Sequence, residues 1–230
     1  LSIVFLAWLN YRGVLATLNF NLVITAFAFI AILILFVAKA PWLADSPLQH
    51  ADLMSGQAAL PYGWLGIIAA MHFGLWFYLG IEGTTHAAEE VRSPPRPLPF
   101  GTLAGIITLL IAATLTWYIC VGILPWEYLG DGVNGAVAPL FSAAQLSGSN
   151  ALILILGFGT LFATFASANG CINDASRAWF SMGRDKYLPG WFGAVHPKYR
   201  TPYRAIIFLV PIALIFALGA PLDQVITFSI

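Results

Sequence analysis

The sequence predicts an all-α fold, a polytopic bundle of membrane-spanning helices. Three observations predict it. Hydrophobic residues make up 60% of the 230 positions, charged residues only 9%, and mean hydropathy is +0.84. A soluble globular domain carries about 25% charged residues, so this chain has too little polar surface to cover a water-soluble fold. The charges are also spaced by apolar gaps. None lies between Arg12 and Lys39, Asp52 and Glu82, Arg96 and Glu127, Asp131 and Asp174, or Arg204 and Asp223. Each gap holds a span of about 17–25 residues. Finally, alternating spans place nine of the ten basic residues on one side. That side is expected to be cytoplasmic, since basic residues concentrate in cytoplasmic loops. The same numbers exclude disorder. A net charge of zero with no separate basic patch excludes nucleic acid as a partner.

Each element follows in order. The chain opens inside an apolar run, so residues 1–9 read as a partial span. A second span covers 14–38 and a third, interrupted one covers 62–91. The fourth covers 99–124, opening at Pro99, a tolerated first-turn residue, and stopping at Pro125. The fifth covers 150–182, apolar at first and then increasingly polar, and the sixth 203–219. A partial span covers 222–230. Connections 39–61 and 125–149 are rich in Pro, Gly, Ser and Asp and read as loops. Loops 89–98 and 177–204 carry the basic residues and are expected in the cytoplasm of a multi-pass cell-membrane protein. Trp42, Trp64, Trp126 and Tyr128 sit at span ends, as interfacial anchors do. Both termini read as cuts through helices, so a fragment of a longer protein is expected. Cys120 and Cys171 are isolated in apolar sequence and support neither a disulfide framework nor a zinc site. No cofactor and no metal are expected.

The third span carries the chemistry. Its centre reads Phe77-Tyr78-Leu79-Gly80-Ile81-Glu82-Gly83. An interior Gly costs about 1 kcal/mol of helix propensity, and a central carboxylate costs on the order of 2.5–3.5 kcal/mol on insertion scales. The pattern predicts a discontinuous helix, unwound through Tyr78–Gly83 and restarting at Thr84 or Thr85 as N-cap. Unwound backbone at membrane depth must be buried in protein or line a water-filled cavity. Its free carbonyls would attract a cation such as an ammonium group, and Trp76, Phe77 and Tyr78 would offer ring faces to it. The alternative is a continuous helix whose glycines permit close packing and whose acid is protonated and hydrogen-bonded.

Leu75–Pro94 (LWFYLGIEGTTHAAEEVRSP) resembles the sixth-helix signature of the amino acid–polyamine–organocation (APC) transporter superfamily. Residues 166–202 (ASANGCINDASRAWFSMGRDKYLPGWFGAVHPKYRTP) resemble its eighth helix and following loop, and Asn10–Gly13 (NYRG) its turn between helices four and five. The WFYLGIEG wording leans toward the ethanolamine-permease-like branch. The resemblance implies two inverted repeats of five helices, with this chain running from the end of helix four to the start of ten and helix six broken. It implies a permease for a small amine or amino acid, working by alternating access, with H+ or Na+ as coupling ion or with a counter-substrate. Carried over by residue, the substrate contacts are Trp76, Phe77, Leu79 and Gly80 on helix six and Ser167 and Cys171 on helix eight. Glu82 becomes a coupling or gating carboxylate, and Tyr78 and Asn169 line the pathway. Some relatives place a coupling lysine in helix five. The matching stretch here is Ala26-Phe27-Ala28, so that route lacks its residue.

Other polar residues have two readings each. Asn169 and Asn173, four apart on one face, either line the pathway or join helices by hydrogen bonds. Asp174 and Arg177 have the spacing of a structural ion pair. His72 is a packing residue or a proton relay. His86, Glu89 and Glu90 lack the HExxH order of a zinc site and read as a solvated charge network with Arg92 and Arg96. A membrane-embedded metal enzyme using His72, Glu82 and His86, or a channel subunit, is the alternative function.

Overall fold

A computed structural model describes residues 1–39, 63–76, 78, 80–86, 88, 91, 93–123, 139–146 and 148–219. Among them are helices α1 (Ser2–Arg12), α2 (Val14–Lys39), α3 (Gly63–Trp76), α4 (Gly83–His86), α5 (Pro97–Ile123), α6 (Pro139–Leu146), α7 (Asn150–Arg184) and α8 (Tyr203–Gly219). A 3-10 turn spans Gly190–Gly193, and no strand occurs among the described residues. Val14–Ala38, Pro97–Cys120 and Asn150–Arg184 are long and apolar enough to cross a membrane, and α8 is a shorter apolar helix. Trp42, Trp126, Tyr128 and the span from 222 lie outside the described residues.

The chain divides into two compact units. The first comprises Leu1–Thr25, Tyr78–Leu103 and Ala163–Ile230. Gly13, at a φ of +141°, is the single residue between α1 and α2, a backbone state that favours glycine. Thr17 stitches this corner by donating its hydroxyl to Gly13 O at 3.1 Å and Leu9 O at 3.2 Å. Helix α1 packs on α8, and Leu6, Ala7, Ala205 and Ile206 are buried. Thr201 donates to Tyr11 O at 2.9 Å, tying the loop before α8 to the same corner. A second apolar focus joins Trp179, Phe192 and Phe208, with ring centroids 5.3–5.5 Å apart.

The second unit comprises Ala26–Phe77 and Ala104–Phe162. Leu35, Ile119, Ala143, Ala144 and Leu156 form its buried cluster. Here α2 and α7 touch through small residues. A Cβ added to Gly159 would lie 2.8 Å from the Ala31 Cβ and 3.7 Å from the Ala28 Cα. Such contacts drive helix association where lipid removes the hydrophobic force. Large side chains meanwhile point outward: Val37 is 69% and Leu154 62% exposed. Those surfaces suit hydrocarbon, and the helices satisfy their own backbone groups.

Four features differ from the sequence expectation. The 125–149 connection contains a helix, α6, opened by Pro139, whose missing N–H costs nothing at a first turn. Helix α5 starts at Pro97 rather than Pro99, and α1 continues to Arg12. Helix α4 restarts at Gly83, before either threonine. Both threonines therefore lie inside the helix and not at its N-cap, and their hydroxyls bond back to the turn, Thr84 to Ile81 O at 3.0 Å and Thr85 to Glu82 O.

Candidate functional site

The helix that begins at Gly63 stops at Trp76 and resumes only at Gly83. Tight turns occupy the described positions between them, Tyr78 and Gly80–Glu82. Ile81 N donates to Tyr78 O at 3.3 Å, Gly83 N to Gly80 O at 3.0 Å, and Thr85 N to Glu82 O at 2.8 Å. Gly80 makes the reversal possible, at a φ of +90° that side-chain-bearing residues rarely adopt. The carboxylate that the sequence marks out folds back onto this turn: Glu82 Oε2 accepts from Gly80 N at 3.1 Å. The expectation of free carbonyls is therefore corrected. Those of Tyr78, Gly80, Ile81 and Glu82 accept turn bonds; Ile81 O and Glu82 O take a threonine hydroxyl as well, so it is Tyr78 O and Gly80 O that each retain a lone pair for a further donor.

Two contacts anchor the restart. The hydroxyls of Thr84 and Thr102 are 2.8 Å apart, joining α4 to α5. Gly83 lies against Asp174 of α7 so closely that an added Cβ would sit 2.5 Å from one carboxylate oxygen and 2.8 Å from the other. Asp174 Oδ1 also lies 3.8 Å from His86 Nδ1, a buried nitrogen with no hydrogen-bond partner. Asn173 mediates the expected pairing of Asp174 with Arg177. Its amide donates to Asp174 Oδ1 at 3.1 Å and its oxygen accepts from Arg177 Nε at 3.0 Å. Arg177 also donates to His86 O at 2.9 Å, so the end of α4 is held by a cation, as a helix C-terminus favours.

Ser167 and Cys171 are both exposed, one turn apart on α7. Asp174 is the next residue of that stripe (i, i+4, i+7), so one face of α7 leads from the two candidate contacts to the restart of the broken helix. Sequence reading assigned Asp174 to an ion pair and missed this. The available signal was its position three residues past Cys171. Asn169 points elsewhere. It is fully buried, accepts from Asn10 Nδ2 at 2.6 Å and donates to Asn21 Oδ1 at 2.7 Å. Of its two readings, inter-helical hydrogen bonding describes that position. Tyr78 is exposed in the turn, and Trp76 closes α3. Phe77, Leu79, Glu89, Glu90 and Arg92 lie outside the described residues. The arrangement offers two carboxylates, Glu82 and Asp174, and spare carbonyl lone pairs along an interrupted helix, a set of groups that favours a cationic guest.

A family model described as amino acid permease matches residues 1–230. The chain is similar to an uncharacterized transporter of Rhizobium meliloti (strain 1021), 70% identical over 230 residues, which are 100% of this chain and 48% of that protein. It is similar to the branched-chain amino acid permease BcaP of Bacillus subtilis (strain 168), 24% identical over 219 residues, 95% of this chain and 44% of that protein. It is also similar to the methylthioribose transporter of the same organism, 26% identical over 193 residues, 84% of this chain and 39% of that protein. The chain thus spans about half the length, or less, of the curated relatives it matches.

Proposed function

This chain belongs to the amino acid permease family of the APC superfamily, and from that premise we propose that it forms part of a secondary active transporter for a small amine or amino acid. The family is one of permeases rather than enzymes. The observation that carries the reading is the helix that stops at Trp76 and restarts at Gly83, with Gly80 in a left-handed state and Glu82 folded onto the turn. A helix broken within a spanning segment is a means of exposing backbone dipoles to a substrate, and rocking of one bundle about that fixed site gives alternating access. In this reading Gly80, Ser167 and Cys171, with Trp76, Phe77 and Leu79, contact the substrate. Tyr78 lines the path, and Glu82 couples or gates. Loops 89–98 and 177–204 face the cytoplasm of a multi-pass cell-membrane protein. The coupling partner is H+, Na+ or a counter-substrate.

The substrate is an amino acid or an amine alcohol such as ethanolamine. Family membership and the named activity of the branched-chain relative support the first; the WFYLGIEG segment supports the second. The test is uptake or exchange by the full-length protein in proteoliposomes, with labelled ethanolamine, arginine and neutral amino acids in competition. Glu82→Gln is expected to slow coupled flux with expression intact, and Gly80→Leu to abolish it. Normal transport by both variants would remove the site assignment while leaving the family intact.

A further inference from the structure

His86 and Asp174 meet where the broken helix restarts, and other contacts hold each of them there. Arg177 donates to His86 O at 2.9 Å and so fixes the last turn of α4. The Asp174 carboxylate is fixed by the Asn173 amide at 3.1 Å and by Gly83, whose missing Cβ leaves it room. Between the two side chains a gap remains. His86 Nδ1 stands 3.8 Å from Asp174 Oδ1, beyond hydrogen-bond length. That nitrogen is buried and, among the described residues, has no hydrogen-bond partner. A buried polar atom left unmet beside a carboxylate costs free energy, and a proton placed between the two would recover it. The pair is also within reach of water. His86 lines a cavity of about 560 Å³ together with Thr85, Ser181, Arg177, Arg184 and Arg200, room for several water molecules.

Given a transporter of a small amine or amino acid, as proposed above, we infer that His86 and Asp174 together take up and release the coupling proton. The proton passes from water in the cavity to the pair and comes to rest on Nδ1. A closing movement of about 1 Å then forms a charge-assisted hydrogen bond to Oδ1, since such bonds are about 2.7–2.9 Å long. On release the proton returns to water, His86 is neutral again and the gap reopens, so each proton bound is a proton delivered. Histidine suits the task because its charge changes near physiological pH. Charged and titratable neighbours act on the pair from several sides. Glu82 from the turn, and Cys171 and Arg177 from α7, lie within electrostatic reach of Asp174. Arg184, 3.6 Å from Asp185, and Arg200 line the cavity. Anions among them favour loading of the pair and cations favour unloading. Loading changes the charge at the break by one unit, directly against Gly83. A cationic guest at the break and the proton therefore alter each other's affinity by the same factor. Glu82, held by Gly80 N at 3.1 Å, is left as the gate.

The experiment measures substrate and proton movement together, with the full-length protein in proteoliposomes that hold a pH-reporting dye. Labelled ethanolamine, arginine and neutral amino acids are the substrates, and counterflow at equal pH, which needs no net proton movement, is followed in parallel. The wild type is expected to move protons with substrate. His86→Gln should lower the proton-to-substrate ratio about tenfold and keep counterflow, and Asp174→Asn should lower the same ratio whatever its rate. The pH dependence of uptake should flatten in both, whereas Glu82→Gln slows the two fluxes in proportion. Should one variant of the pair fail to fold, the other is decisive, because a shared proton needs both partners. An unchanged ratio in either folded variant overturns the inference, as does a folded His86→Gln that has lost counterflow too. A ratio that collapses in Glu89→Gln/Glu90→Gln but survives in the pair assigns the proton elsewhere and overturns it as well. Uptake driven by Na+ without proton movement in the wild type overturns the inference and leaves the transport reading standing. Absence of flux for every substrate overturns the transport reading, and the inference with it.

Discussion

Replacing Gly83 with Ala separates a steric requirement at the broken helix from a propensity effect. On an ordinary helix Gly→Ala stabilises by up to about 1 kcal/mol. Here the added methyl would stand 2.5–2.9 Å from three atoms of the Asp174 carboxyl group, closer than any real Cβ contact. The carboxylate must move, and its hydrogen bond from Asn173 at 3.1 Å goes with it. Hydrogen bonds to charged groups contribute about 1.5–3 kcal/mol, so Gly83→Ala is expected to destabilise by roughly 0.5–2 kcal/mol after the propensity gain. In an Asp174→Ala background the obstacle is absent, and the same substitution should become neutral or stabilising. In Asp174→Asn the obstacle keeps its shape without its charge, and Gly83→Ala should stay destabilising. The assay is the unfolding midpoint of the purified full-length protein for all six combinations. Additivity within about 0.5 kcal/mol across the Ala cycle would refute the close approach of α4 and α7.

Asn169→Leu should cost about 1–3 kcal/mol in the same unfolding assay, because it leaves Asn21 Oδ1 without its donor at 2.7 Å and removes the acceptor of Asn10 Nδ2. Gly159→Leu should lower expression and stability by more than Gly157→Leu, since only Gly159 has Ala31 within van der Waals reach of its Cβ position. A water-soluble maleimide should label the exposed Cys171 much faster than the buried Cys120, and transported substrate should slow the labelling. Unprotected labelling would remove Cys171 from the substrate contacts.

Local features of the sequence were enough to indicate the helical class. An uninterrupted apolar run between Arg12 and Lys39 leaves few alternatives to a long helix, and α2 fills it. The break was legible because Gly80 and Glu82 oppose helix formation and insertion within three residues. Its hydrogen bonds were not. Which carbonyls stay free depends on turn geometry, and Glu82 reaches back to Gly80 N only once that turn exists. Helix α6 was hidden because eight residues inside a Pro- and Gly-rich stretch give too short a window for a 3.6-residue period. The partners of Asn169 lie 148 and 159 residues away, and no local pattern announces them. The Gly83–Asp174 approach is invisible for the same reason: a glycine's closeness to another helix is a property of packing.

Amide hydrogen exchange across Gly63–His86 in the membrane-reconstituted full-length protein tests the interrupted helix directly. The account predicts fast exchange for the turn at Tyr78–Glu82, slow exchange through the middle of Gly63–Trp76, and slowing of the turn when substrate is added. Uniformly slow exchange from Gly63 to His86, unchanged by substrate, would contradict it.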